Sequence, residues 1–503
     1  MGDDCILALD QGTSNTKAML VDKAGRIVFS TSVAMQVVTT SAGYVEQDAN
    51  ELWNASCRVL QACIERASAG TISAMGITNQ RETVVVWERS TGQPVKPAVV
   101  WQCRRSAARC AQLVRDGMEP LIQSHTGLRV DPLFSASKVE WLLDHTAGLR
   151  ARAEQGDLCV GTVDSWLIFK LTGGKVHCTD ASNASRTQLL HLATGKWDDE
   201  MMRLFRIPAV VLPAIVQSSG VIAETAAVDG LPAGIPIASA IGDSHAALAG
   251  HGVFSPGPVK ATFGTGSSLM TLCRDAGAAD HTLATTVAWA RNGKLQYALE
   301  GNITMTGASV RWMGDFLQSK TPLQTVLALA NSVKDSDGVY LVPAMNGLGA
   351  PYWDSNARGA VYGLTRTSTV AHMARAALEA IAHQIADVFE EMQRRQPGME
   401  SCLYADGGAS ENSELMQIQA DLLGLPVVRS KCAELSALGA AWLAGLGIGT
   451  WNSFAELAAL TPETDVFEPK LEGERKTAIR DGWRLAVERT RLQQERPRKI
   501  VTQ

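Results

Sequence analysis

This 503-residue chain has no Cys-x-x-Cys pair, no apolar run long enough to cross a bilayer and no surplus of basic charge. Its ten cysteines (5, 57, 63, 103, 110, 159, 178, 273, 402, 432) are scattered, and no spacing supports a structural zinc site. In so large a chain they read as reduced thiols, mostly small core residues of a cytoplasmic protein. The longest apolar stretch, Ala437 to Gly449, is too short for a membrane span. With 46 basic and 51 acidic residues, the net charge of −5 offers no field to nucleic acid or to an anionic membrane surface. A targeting signal is not expected either. The opening Met-Gly-Asp-Asp-Cys-Ile has no basic region, and Ile6 stands where a myristoylation motif on Gly2 would carry Ser or Thr. Two nucleotide signatures are also missing. There is no G-x-x-x-x-G-K-[ST] and no G-x-G-x-x-G after an opening strand, which excludes a P-loop and a dinucleotide dehydrogenase.

What is present is ample core. Hydrophobic residues make up 46% of the chain and charged residues 19%, below the ~25% of an average soluble protein, so long disorder is not expected. The length calls for at least two domains. The pattern is mixed α/β, with strand-like runs at Cys5–Leu9, Ala18–Asp22, Thr83–Trp87, Val259–Phe263 and Val339–Val342. Asp48-Ala-Asn-Glu51 opens a helix through Trp53, Val59 and Cys63, and Thr369–Met392 has apolar residues at helical spacing. The tail from Glu474 reads as a charged helix, then breaks near Pro497.

One feature occurs twice. Ile6–Leu9 leads through Asp10-Gln-Gly12-Thr13-Ser14-Asn15-Thr16-Lys17 into Ala18–Asp22. Some 250 residues later, Val259–Phe263 leads through Gly264-Thr265-Gly266-Ser267-Ser268 into Leu269–Cys273. Each is a strand, a Gly-Thr turn and a strand. The repeat predicts two similar α/β halves, each giving one hairpin to a shared cleft. Gly and Pro between Gly250 and Pro258 mark the boundary, hence domains at 1–252 and 253–503.

Glycine turns expose backbone N–H groups and the neighbouring hydroxyls add donors, which suits phosphate oxygens. Asp10 stands where the first strand meets its turn, as a hard oxygen ligand for Mg²⁺ or simply as a turn former. A second acid, Asp243, follows the apolar strand Pro236–Ile241. It is placed for general-base work or metal contact, or else caps the helical run Ala246–Leu248. His245 reads as a helix-start residue. Gly76-Ile-Thr-Asn-Gln-Arg81-Glu82-Thr83 reads as a loop between β-rich runs. It offers either a donor fork and an acceptor for a polyhydroxylated substrate or a surface salt-bridged turn. Trp101 is a core aromatic or a pocket wall.

These residues, with Gly43–Asp48, Trp101–Arg105, Phe134-Ser-Ala-Ser-Lys138-Val-Glu-Trp141, Gly161–Leu167, Asn183–Arg186, Gly347–Asp354 and Gly363–Glu379, resemble the FGGY carbohydrate kinases, and within them the glycerol kinases. The resemblance runs in order from about residue 5 to 485. It implies two actin-like (ribonuclease H-like) domains closing on ATP, Mg²⁺ and a small polyol or sugar, and relatives of this kind commonly form homo-oligomers. It also implies that Asp243 is the general base and that Asp10 and Asp243 hold the metal. Thr13, Ser14, Asn15, Lys17, Gly264 and Thr265 would cradle the phosphates. Gly307, Arg311, Gly408 and Asn412 match the adenosine side, and Arg81, Glu82, Trp101, Leu133, Asp243 and Ser244 match the substrate side.

Several positions depart from the family pattern. Lys17 stands for Arg and Arg311 for Gln. In the substrate pocket Leu133 stands for Tyr, Ser244 for Gln and Ser268 for Phe. These swaps should alter substrate choice more than chemistry, leaving glycerol or a longer polyol or ketose as the acceptor. Gly234 stands where the family's sugar-bisphosphate loop has Arg, so such inhibition should be weak. A non-catalytic nucleotide-binding protein of the same fold is the remaining class, and survival of both acids and both hairpins argues against it.

Overall fold

The computed structural model describes residues 4–67, 72–277, 282–397 and 402–492. Gly2 and the tail near Pro497 lie outside the described residues. Six strands form a first sheet: β1 (Cys5–Gln11), β2 (Asn15–Val21), β3 (Ile27–Ala34), β4 (Ile72–Asn79), β5 (Ser219–Glu224) and β6 (Pro236–Gly242). Seven form a second: β7 (Val259–Phe263), β8 (Ser267–Cys273), β9 (Ala284–Arg291), β10 (Lys294–Ile303), β11 (Leu403–Asp406), β12 (Val427–Ser430) and β13 (Thr464–Phe467).

The two sheets repeat one plan. The first has the order β5-β6-β4-β1-β2-β3 and the second, read backwards, β13-β12-β11-β7-β8-β10-β9. Position by position the strand senses agree. The outer strand is antiparallel to the next, the next three are mutually parallel, and the hairpin and its third strand are antiparallel. The hairpin β1/β2 therefore corresponds to β7/β8, as the repeated Gly-Thr turn predicts.

Alternation along β1 explains why it is apolar from Cys5 to Leu9. Leu7 and Leu9 pack with Trp53, Leu60 and Cys63 of the Ala49–Ala67 helix, while Ile6 and Ala8 pack with Leu438 and Ala441 of the Leu435–Ile448 helix. A strand covered on both faces carries no polar stripe. The Leu435–Ile448 helix follows the second sheet's β12 in sequence yet covers a face of the first sheet. It approaches so closely that a Cβ on Gly439 would lie 1.9 Å from the Ala246 carbonyl oxygen, and one on Gly76 2.4 Å from that of Ala440. This is the apolar run that is too short for a membrane. Among the described residues no helix is long and apolar enough to cross one.

The expected helices are present, as Ala49–Ala67, Val370–Arg395 and Gly473–Leu492. Eight of the ten cysteines are buried. Two local expectations need correction. β4 runs on through Gly76–Asn79, because these residues pair in parallel with β1 and β6, so the turn is confined to Gln80–Thr83. The helix after β6 spans Asp243–Gly250 with Gly242 as its N-cap, so Asp243 is not the cap.

Candidate active site

Asp10 and Lys17 are cross-strand partners at the mouth of the first hairpin. They line a cleft shared with Asp243 after β6, Lys260 and Thr262 on β7, and Asp406 at the end of β11. Both sheets thus point strand ends into one space. The Asp10 carboxyl is pushed up to about 7, by burial first and then by the charge of Asp243, with Lys17 opposing. Two carboxylates lining one cleft have the hard-oxygen chemistry a divalent cation takes. Lys17 meets Glu434 at 2.7 and 2.8 Å, which joins the first hairpin to the start of the Leu435–Ile448 helix.

Asp243 is fixed through one oxygen. Its Oδ1 accepts from the Ser244 backbone N–H at 2.6 Å and lies 3.2 Å from Arg81 Nε. Arg81 is itself gripped by Glu300, donating from Nη1 to Oε2 at 3.1 Å and from Nη2 to Oε1 at 2.8 Å. Glu300 also faces Arg186 Nη1 at 2.6 Å and accepts from the Ser268 hydroxyl at 3.2 Å. Arg186 Nε donates to Glu82 Oε1 at 2.5 Å. Arg81 is 8% exposed, Glu82 4%, and Arg186 and Glu300 are fully enclosed, so the surface-turn reading of Arg81-Glu82 falls. Burial alone would raise the Glu300 pKa, but Arg186 and Arg81 outweigh it and hold the carboxyl well below the usual range.

Trp101 reaches the first hairpin. Its Nε1 donates to Thr13 Oγ1 at 2.9 Å, and Thr13 donates to Gln80 Oε1 at 3.2 Å. Ser14 and Asn15 are exposed at the hairpin tip. Gly12 N bonds Asn15 O across the first tip, and Gly264 N bonds Gly266 O across the shorter second one. The second tip is tied to the helix Gly307–Phe316: Gly307 N donates to Gly264 O, and Thr306 N and Ala308 N to Thr265 O, all at 3.0 Å. A Cβ on Gly307 would sit 2.6 Å from that Gly264 oxygen, so only glycine fits. Arg311 is exposed one turn along this helix. Gly408 follows β11, and Asn412 caps the Ser413–Leu423 helix by accepting from Leu415 N at 3.0 Å. Leu133 packs beside Leu128, Phe134 and Ala284, with its carbonyl bound by Lys138 Nζ. His245 is buried against Thr286 Oγ1 at 3.1 Å and kept neutral by burial and by Arg81, a structural role.

Sequence reasoning gave no role to Glu300, Arg186, Lys260 or Glu434. Glu300 and Lys260 each interrupt an apolar strand (Ala298-Leu-Glu-Gly301, Val259-Lys-Ala261), which is the available signal that a charge is held inside a core.

Known proteins resemble this chain over most of its length. Residues 5–250 match the model of the FGGY carbohydrate kinase N-terminal domain, and residues 259–448 match the C-terminal domain. The chain belongs to the FGGY family of carbohydrate kinases. It is 48% identical over 494 residues to a glycerol kinase of Dechloromonas aromatica, covering 97% of this chain and 98% of that one. It is 46% identical over 492 residues to an apulose kinase of Pectobacterium atrosepticum, covering 97% and 99%. The solved structure of Plasmodium falciparum glycerol kinase with ADP superposes with a TM-score of 0.91 at 32% identity, covering 97% and 98%. As an FGGY member the chain is an ATP-dependent kinase, with the two-domain architecture expected from its paired hairpins.

Proposed function

We propose that this kinase phosphorylates glycerol to glycerol 3-phosphate, with Asp243 as general base. The observation that carries the reading is the one-sided clamp on Asp243. Arg81 and the Ser244 N–H both engage Oδ1, so Oδ2 is the oxygen left to accept the proton of a substrate hydroxyl. That hydroxyl then attacks the γ-phosphorus in line. Positioning and charge neutralisation carry most of such a transfer. Arg81 and Glu82 grip adjacent hydroxyls, while Trp101, anchored on Thr13, packs on substrate carbon. Leu133 and Ser244 complete the substrate wall.

Asp10 and Asp243 would hold Mg²⁺, which neutralises phosphate charge when bound. Thr13, Ser14, Asn15 and Lys17, with Gly264 and Thr265, cradle the phosphates. Gly307, Arg311, Gly408 and Asn412 line the adenosine side. The working division is 1–252 and 253–503, in a cytoplasmic, self-associating enzyme.

A second reading, a longer polyol or a ketose as acceptor, is favoured by one group of residues. Leu133, Ser244 and Ser268 leave room and polar groups at the substrate end, and an apulose kinase is among the relatives. The test is ATP consumption with glycerol, tetritols, pentitols and ketopentoses, together with Asp243→Asn. The variant should bind ATP nearly as wild type and lose ~10²-fold or more in turnover. Turnover within a few-fold of wild type removes Asp243 from the mechanism, and a kcat/KM highest for a ketopentose transfers the assignment to the second reading.

A further inference from the structure

Away from the cleft, the fold gathers two histidines and an aspartate from three separate segments. His125 lies in the last turn of the helix Glu119–Thr126, His191 on the short hairpin Leu190–His191/Lys196–Trp197, and Asp198 at the N-cap of the helix Asp199–Leu204. One ring nitrogen from each histidine and one Asp198 carboxylate oxygen all lie within 4.8 Å of one another. The backbone fixes this meeting: Leu192 N donates to His125 O at 2.8 Å, and Asp198 N to Leu189 O at 2.7 Å.

The side chains are arranged as a ligand set is. The Asp198 side chain is 4% exposed, and its Oδ1 accepts from Glu200 N and Met201 N at 2.8 and 2.9 Å. This holds Oδ2 toward His125, 2.7 Å from Nδ1. His191 Nδ1 is enclosed and has no hydrogen-bond partner. Glu200 Oε2 lies 3.6 Å from Nε2, on the opposite edge of the His125 ring. An enclosed imidazole nitrogen without a partner forgoes a hydrogen bond that water or a neighbour normally supplies. A metal ion would satisfy it. In a tetrahedral zinc site with bonds of ~2.0–2.1 Å, neighbouring ligand atoms stand roughly 3.3 Å apart, so these three already lie near the spacing of a ligand set.

We propose that His125, His191 and Asp198, with water as fourth ligand, form a binding site for a divalent transition metal of the zinc type. Two imidazoles and one carboxylate select such an ion over Mg²⁺ or Ca²⁺, which take oxygen-only shells. The consequence is structural. The ion ties the helix end at Thr126 to the hairpin and to the Asp199–Leu204 helix. The chain leaves Thr126 through Gly127 and Leu128 into the turn that carries Leu133, so the clip braces the base of the substrate wall. Sequence spacing could not disclose the set, because its members are 66 and 7 residues apart with no repeated pattern.

The test uses the full chain, stripped with a chelator and then saturated with Mg²⁺ and ADP so that the cleft carboxylates are occupied. Titration with Co²⁺ should give one equivalent bound per chain, with a visible d–d band that Zn²⁺ abolishes, and Zn²⁺ alone should raise Tm. His125→Ala and the conservative His191→Asn should each weaken Co²⁺ binding by ~10-fold or more. Asp10→Asn should leave the band intact. No band in the full chain, an unchanged band in both histidine variants, or loss of the band in Asp10→Asn would each overturn the proposal, the last by assigning the metal to the cleft.

Discussion

Replacing Glu300 with Gln isolates the contact on which both stability and substrate positioning converge. The carboxylate is fully enclosed and faces two guanidiniums, Arg81 at 2.8 and 3.1 Å and Arg186 at 2.6 Å. Removing one partner of a buried pair costs about 3–5 kcal/mol, because the remaining charge stays desolvated. Here two cations share one anion, and the amide keeps an acceptor for only part of the fork, so a loss in that range is expected. Against a typical domain stability of ~5–15 kcal/mol it is a large fraction. Arg81 also loses its anchor, and with it the alignment of Asp243. A misplacement of ~1 Å costs on the order of 10²-fold, so kcat/KM should fall by about that factor. Urea unfolding followed by tryptophan fluorescence reads the first effect and coupled ATP turnover the second. Glu300→Asp, which keeps the charge, should lie between.

The pH dependence gives an internal check. A carboxyl whose folded pKa lies well below its unfolded value contributes stability above the unfolded value and loses it as pH falls through the folded one. The gap between wild type and Glu300→Gln should therefore be full near pH 7 and shrink below about pH 4. A stability loss under ~1 kcal/mol with kcat/KM within threefold of wild type would refute the reasoning.

Other outcomes follow from the cleft. Asp10 carries a pKa pushed to about 7 by burial and by Asp243, so it is protonated at lower pH. Affinity for Mg²⁺-nucleotide should rise by up to ~10-fold per pH unit below 7 and flatten above, and a flat profile from pH 5.5 to 8 would contradict this. Glu434→Gln releases Lys17 from a partly exposed ion pair, so stability should change by under ~1 kcal/mol while KM for ATP falls a few-fold; an unchanged KM would mean that Lys17 does not meet phosphate. Lys17→Ala and Thr265→Val should each weaken nucleotide binding or rate, and both unchanged would end the two-hairpin cradle. The triple variant Leu133→Tyr, Ser244→Gln, Ser268→Phe should shift kcat/KM toward glycerol over the best longer acceptor, each contact supplying about 1–3 kcal/mol.

The parts legible in the sequence are those governed by local rules. β7 is recovered residue for residue because a short apolar run ends at glycine on its cleft side, and the second hairpin announces the first by its turn chemistry. The Val370–Arg395 helix differs from its expected span only at the ends, where the Thr369–His372 capping box starts it. The loop expected at Gly76–Thr83 fails at its first half. Polarity suggests a loop, but Thr78 and Asn79 are buried because parallel neighbours lie on both sides of β4. The Glu82–Arg186–Glu300–Arg81 chain was out of reach for a different reason. Its links join residues 104 to 219 positions apart, and no local pattern records which charge meets which.

The repeated sheet explains how chemistry and substrate choice can vary separately. By register, Asp10 pairs with Lys17 across β1/β2, and Thr262 pairs with Ser268 across β7/β8. Asp10 and Thr262 are thus equivalent positions in the two halves, as are Lys17 and Ser268. The first half has placed an acid and a cation there, the pair proposed to meet metal and phosphate. The second has placed two hydroxyls, and Ser268 reaches across to Glu300, the carboxylate that fixes Arg81. A change at Ser268 therefore acts on the substrate side through Glu300 and leaves the Asp10–Lys17 pair untouched. That separation lets an FGGY kinase keep its phosphoryl-transfer apparatus while its acceptor changes, and it is why Ser268 carries more information about this enzyme's substrate than Asp10 or Asp243 does.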